Sequence, residues 1–176
     1  MKLINLNDGV RKYMLQEIDM DISSNKLFIS SRLNDLGIIY YPGLLKEAVE
    51  KFDITWFAEH IKGKNYLKEY EQKRKPKSTE YTMAKVPGNA HVMLSEGEFN
   101  RFYIRGLCLK AADDGIKELE IYRAKEVSNP RPESEIMIGK KIDVQSLLND
   151  LRSNIGIDTA LGVPPGPNSG LSVKLP

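Results

Sequence analysis

The sequence predicts an α+β fold, with N-terminal helices, a central buried helix packed on a small β-sheet, and an extended C-terminal arm. Three observations predict it. Between residues 95 and 114, Phe99, Phe102, Tyr103, Ile104, Leu107, Cys108 and Ala111 cover more than half of a helix circumference, so that helix is expected to be buried on two sides. From Leu119 the period changes to two, with Leu119, Ile121, Arg123 and Lys125 alternating with Glu120, Tyr122, Ala124 and Glu126, which is strand patterning. From Asn154 onward, four glycines and four prolines fall in 23 residues and forbid a long helix.

Taken in order, the chain divides into a helical part over 1–63, a basic exposed linker over 64–80, an α+β core over 81–153 and an extended arm over 154–176. Asp8 is a suitable cap for a first helix through Val10, Met14, Ile18 and Ile22. LFIS (27–30) has the composition of a short strand, and RLNDLG that of a turn or a short helical piece ending at Gly37. Pro42 suits the first turn of the next helix, whose apolar face is Leu44, Leu45, Ala48 and Val49. Asp53 restarts a helix with Trp56, Phe57 and Ile61 on one side, stopping at Gly63. Residues 64–80 are charged and poor in aliphatics, which predicts an exposed helix turning into a loop. Tyr81 to Val86 alternates weakly as a strand, and Pro87-Gly88-Asn89 is a turn.

Ser95 and Glu98 have the spacing of a capping box, which would start the central helix at 95, and Gly115 suits the left-handed position after its last turn. Asn129-Pro130-Arg131-Pro132 is not helical, and 135–142 holds a short strand interrupted by Gly139. Asp143 caps a last helix that turns Leu147, Leu148 and Leu151 inward. The arm keeps Leu171, Val173 and Leu175, more aliphatics than a flexible tail retains, and LSVKL could add a strand to a sheet edge.

Composition excludes more than it identifies. A net charge of +2 does not by itself imply nucleic acid, yet residues 62–77 carry seven lysines or arginines against two glutamates. That segment is net +5, so the rest of the chain is −3. Lys73, Arg74, Lys75 and Lys77, with Tyr66, Tyr70 and Tyr81 nearby, could grip a phosphate backbone and stack on bases; the plainer reading is a solvated surface run. Arg101 and Arg105 stand one helical turn apart, and Glu98 three residues before Arg101 makes a salt-bridged helix face the plain reading. The sharper reading sets Arg101, Arg105 and Arg123 against an acidic partner or a phosphorylated ligand.

Enzymatic chemistry has no visible machinery. Cys108 sits mid-helix with only His60 and His91 as conceivable bases, and no metal-ligand spacing or phosphate loop occurs. Asp113, Asp114, Glu118 and Glu120 lack the lysine two positions after the acidic strand residue that metal-dependent nucleases use. No catalytic residue, metal or cofactor is expected. One cysteine, no apolar run of membrane-spanning length and an opening MKLINLNDGV without a signal-peptide core predict a cytoplasmic protein with no membrane partner.

The segments FNRFYIRGLCLKA, IYRAKEV, NPRPESE, LLNDLR and GPNSGLSV, all in the C-terminal half, resemble small proteins encoded among bacteriophage head and structural genes. The resemblance implies a non-enzymatic, capsid-associated virion or assembly subunit in a bacterial host, and it carries over no functional residue. Two functions are expected ahead of a third, an enzyme acting on a nucleotide or phosphorylated ligand through Arg101, Arg105 and Arg123. One is an oligomeric assembly protein whose arm docks Leu171, Val173 and Leu175 on another subunit; the other is a nucleic-acid-binding accessory or regulatory protein using residues 62–77.

Overall fold

Four helices begin where a short polar side chain accepts one of the first free amides, in a computed structural model that describes residues 1–75, 79–156 and 170–176. Asn7 caps α1 (Asp8–Ser23), Asn34 caps α2 (Asp35–Lys51), Asp53 caps α3 (Ile54–Gly63) and Asp143 caps α6 (Val144–Ser153), each accepting from the backbone N–H three residues on. The remaining elements are β1 (Tyr70–Arg74), β2 (Tyr81–Lys85), α4 (Ala90–Asp113), β3 (Glu118–Arg123), α5 (Pro132–Glu135), β4 (Lys141–Asp143) and β5 (Leu171–Lys174). The α+β class is as the patterning predicts. The chain forms two compact units, one of Met1–Phe28 with Glu96–Pro176 and one of Ile29–Ser95.

The first unit is built on α4. Phe99, Phe102, Tyr103, Leu107, Cys108 and Ala111 are all buried, and the strand face opposite supplies Leu119 and Ile121. β3 is the centre of a three-stranded antiparallel sheet ordered β4-β3-β5, so it is hydrogen-bonded on both sides. Helix α6 adds Leu147, Leu148 and Leu151 to the same core. Helix α1 comes close to α4 at Gly106, where a Cβ would fall 2.7 Å from Met14 Cγ and 2.9 Å from the Met14 backbone nitrogen. Only glycine fits that crossing. Gly115 ends α4 at φ +72°, the left-handed geometry its position predicts.

The polar stripe of α4 is buried too. Arg105 is 1% exposed and donates from Nε to Glu17 Oε2 at 2.7 Å and from its two terminal nitrogens to both Asp21 oxygens at 2.6 and 2.8 Å. Arg152 of α6 also pairs with Glu17. Burial raises the Glu17 carboxyl, but the hydrogen bonds and charges of Arg152 and Arg105 outweigh it and hold Glu17 below the ordinary range. Arg101 lies in the same stripe, donating to the carbonyls of Leu151 and Asn154 at 3.3 and 2.9 Å. Its Nε stands 3.5 Å from Glu98, too far to compensate a buried acid well, and Glu98 Oε2 has no hydrogen-bond partner among the described residues. Burial accordingly pushes Glu98 up to about 7, against the pull of Arg101 and Arg105.

Both chain ends close on this core. The Tyr103 hydroxyl donates to the Val173 carbonyl of β5 at 3.2 Å and accepts from Asn5 N–H, while the Leu175 N–H donates to Asn5 Oδ1 at 2.9 Å. Tyr122 on β3 donates to the Lys2 carbonyl at 2.7 Å.

The structure departs from the sequence expectations at several elements. Helix α4 starts at Ala90, after the Pro87 turn, so Ser95 and Glu98 are buried interior residues and not a capping box. LFIS forms no strand, and Pro42 lies inside α2, where the burial of Tyr41 and Leu45 holds the helix across the missing N–H. A single helical turn, α5, follows Arg131, with Pro132 at its first position where a missing N–H costs nothing. Residues 70–74 are strand and not helix. Of the C-terminal segment, residues 157–169 lie outside the described residues and 171–174 are a strand of the chain's own sheet.

Removing one partner from the Arg105 cluster strands buried carboxylates. Arg105→Met is expected to cost about 3–5 kcal/mol, read as a lower urea midpoint, whereas exchanging Arg105, Glu17 and Asp21 together for apolar residues restores most of the loss. A midpoint unmoved by Arg105→Met would contradict the cluster. The Glu98 carboxyl has the opposite sign. Its folded value is raised from 4.5 to about 7, so its ionisation opposes folding, with no penalty below 4.5 and the full penalty above about 7. Glu98→Gln should match the parent near pH ~4 and exceed it by up to about 3 kcal/mol near pH ~8. Equal gains at both pH values would show that Glu98 does not titrate in this way.

Candidate nucleic-acid interface

The second unit carries the basic segment. Its foundation is the start of α2: Leu33 bridges to Leu67, Asn34 N–H donates to the Tyr66 carbonyl at 3.0 Å, and Lys68 N–H donates to the Arg32 carbonyl at 2.8 Å. From that base the chain leaves as β1 and returns as β2, in antiparallel register with Tyr70 opposite Lys85, Gln72 opposite Met83 and Arg74 opposite Tyr81. Val86 N–H closes the lower end on the Glu69 carbonyl at 2.9 Å, and Lys75 N–H extends the ladder to Glu80 at the upper end. YEQKR forms a strand here because its partner YTMAK, rich in β-formers at Tyr81, Thr82 and Met83, supplies the ladder.

Directly opposed residues share a face, so the register sorts the side chains. One face carries Tyr70, Gln72, Arg74, Tyr81, Met83 and Lys85, all exposed, with Tyr81 at 64% and Met83 at 61%. Tyr70 and Tyr81 lie at opposite ends of it, four residues or about 14 Å apart along the ribbon. The other face carries Glu71, Lys73, Thr82 and Ala84, of which Glu71 and Ala84 are half-buried. Arg32 grips Glu71 with two parallel bonds of 2.7 and 3.0 Å, and this holds the Glu71 carboxyl below its ordinary value. The pair removes the negative charge of Glu71 from the ribbon's field. At the upper end, Lys75 pairs with Glu80 at 2.7 Å.

The expected binding residues are thus separated. Lys73 and Arg74 lie on opposite faces of the exposed ribbon, Lys75 follows just past β1, and Lys77 lies outside the described residues. Tyr70 and Tyr81 are on its open face, but Tyr66 is stacked on Tyr40 with centroids 5.8 Å apart. Arg101 and Arg105 belong to the other unit and are turned into its core, which corrects their reading as contacts for an acidic ligand. Arg123, on β3, is paired with Glu135. Leu171 and Val173 are buried in the chain's own sheet and Leu175 is half-buried, so these three are engaged in cis and not offered to a neighbour. Sequence reasoning passed over Lys85, Met83 and Arg32. The alternation of Tyr70, Gln72 and Arg74 was the available signal, and the charge density of the segment concealed it.

Catalytic groups are sparse among the described residues. Among the described residues, no cluster of three or more histidine, cysteine or acidic side chains could hold a metal ion, and no helix is long and apolar enough to cross a membrane. Cys108 is fully buried, and burial pushes its thiol up to about 12, far from the thiolate a nucleophile needs. Comparison with family models, with curated proteins and with solved structures found no match to this chain.

Proposed function

We propose that this protein is a nucleic-acid-binding accessory protein that lays its β1–β2 ribbon against a phosphate backbone. The observation that supports the reading most directly is the ribbon's exposure on both strands, with Arg74 on the same face as uncovered Tyr70 and Tyr81, Lys73 on the opposite face and Lys75 at the end of β1. A two-stranded ribbon has the width that a major groove admits, and aromatic side chains along it offer π-faces to unpaired bases. A face with no core behind it has little structural reason to keep two tyrosines and a methionine in water.

Fluorescence anisotropy with a labelled duplex and a labelled single strand, across a salt series, tests this. Binding should weaken steeply with salt, and the Lys73→Gln, Arg74→Gln, Lys75→Gln triple variant should flatten the duplex slope by about 3 if all three groups contact phosphate. Affinity that ignores salt, or a triple variant that binds like the parent, would remove the reading.

A second reading, a non-enzymatic assembly subunit of the bacteriophage head type, is favoured by one observation. Leu36, Ile39 and Tyr40, in the first turns of α2, are each more than half exposed, and Ile38 beside them is 42% exposed. Contiguous exposed apolar side chains commonly mark a protein contact. Light scattering should then find an oligomer that Leu36→Glu with Ile39→Glu dissociates; an oligomer indifferent to both changes would exclude this face. Deleting the C-terminal arm is a poor substitute, since it also removes β5.

A further inference from the structure

A cleft of about 450 Å3 opens within Ile29–Ser95 at the foot of the ribbon. That volume lies in the range of small-ligand sites. Four elements each bring one basic side chain to it: Lys62 from α3, Lys68 from the residues entering β1, Lys85 from the end of β2, and His91 from the first turn of α4. The only acid on the lining is Glu69. Lys68 is held by a 2.9 Å bond to the Ser31 carbonyl, whereas Lys62 and Lys85 have no carboxylate partner among the described residues. His91 registers the crowding: burial, then the nearby Lys62 charge, lower its imidazole from the ordinary value, with the Gly88 backbone opposing.

The rest of the lining is different in kind. Ile61, Leu67 and Val86 complete it, Ile61 and Val86 from buried positions and Leu67 half-buried, and Gly88 has open space where a side chain would begin. His91 also stands in the opening turn of a 24-residue helix, whose dipole favours negative charge there. Two excess positive charges and a helix start match a phosphate group.

We propose that this cleft binds a phosphate monoester, with Lys62, Lys85 and His91 around the phosphate. The site does not depend on the ribbon's role, because a mononucleotide is too short to span the ribbon. Its phosphate could be that of a free nucleotide or the terminal phosphate of a strand, and the two sources are separable.

Isothermal titration calorimetry on the full chain, with adenosine 5′-monophosphate, adenosine and inorganic phosphate at one ionic strength, is the test. The monophosphate should bind saturably and adenosine about tenfold or more weaker, a difference of about 1.4 kcal/mol or more. Lys62→Gln with Lys85→Gln should lose about tenfold for the monophosphate at an unchanged melting temperature, and Lys62→Arg with Lys85→Arg should recover most of it. The Lys73→Gln, Arg74→Gln, Lys75→Gln variant should bind the monophosphate as the parent does, which separates failure of this site from failure of the ribbon. Competition by a 5′-phosphorylated oligonucleotide, and not by its 5′-hydroxyl twin, would identify a strand end as the source; no competition by either would identify a free nucleotide. Equal binding of adenosine and its monophosphate, no saturable binding of either phosphate probe, or a Lys62/Lys85 glutamine variant with parental affinity would overturn the proposal.

Discussion

The Arg105 guanidinium is the constraint on which the larger unit depends. A charge 1% exposed in a core is tolerated only when its donors are filled, and here Glu17 and Asp21 fill them from one face of α1. Those two acids lie four residues apart, so α1 must be helical and correctly rotated for both to reach. Gly106, the next residue on α4, then lets the two backbones come close enough for the bonds to form. Arg152 ties α6 to the same acid. Three helices are therefore oriented by one polar cluster, while the apolar side chains around it, free of direction, supply the burial. Charge gives this core its specificity more than its stability, which suits a helix hydrophobic on nearly all other sides.

The second unit solves a different problem. A two-stranded ribbon cannot stabilise itself in water, since it has no second layer to bury a face against. Here the ribbon is secured at its foot, by the Leu33–Leu67 bridge, the backbone bonds at Asn34 and Lys68 and the Arg32–Glu71 fork. Everything above that foot is left to solvent. Such an element contributes little to folding, so its composition answers to solubility and to whatever it touches.

Sequence legibility followed the same division. Helices with a capping side chain and an apolar stripe were readable, as α3 and α6 show, because both signals are local. The period-two run of β3 was equally plain. Ser95 and Glu98 misled because a capping box and a buried polar pair on one helix face have the same spacing, and only tertiary context separates them. The charged stretch before Pro76 read as helix and loop because lysine and glutamate favour helix, whereas strand partnership with residues 81–85 is a long-range fact. The basic segment was found as a composition, but its geometry was not. Nor could the arginines be sorted: sequence places Arg101 and Arg105 one turn apart, yet whether that stripe meets solvent or α1 depends on acids more than 80 residues away.

That sorting bears on what kind of recognition the protein can perform. Arg101 and Arg105 are buried among carbonyls and carboxylates, and Arg32, Arg123 and Arg152 are paired with acids. The planar forks that read a guanine edge or clasp a phosphate with two bonds are in these cases turned inward or neutralised. The exposed ribbon and the cleft are served mainly by lysines, Arg74 being the arginine on the ribbon. Lysine is a mobile point charge that attracts phosphate without fixing its orientation. Recognition built this way would take its affinity from charge and its selectivity from shape and from stacking at Tyr70 and Tyr81. On the proposed reading of the ribbon, such a surface would hold phosphate with little regard for base sequence.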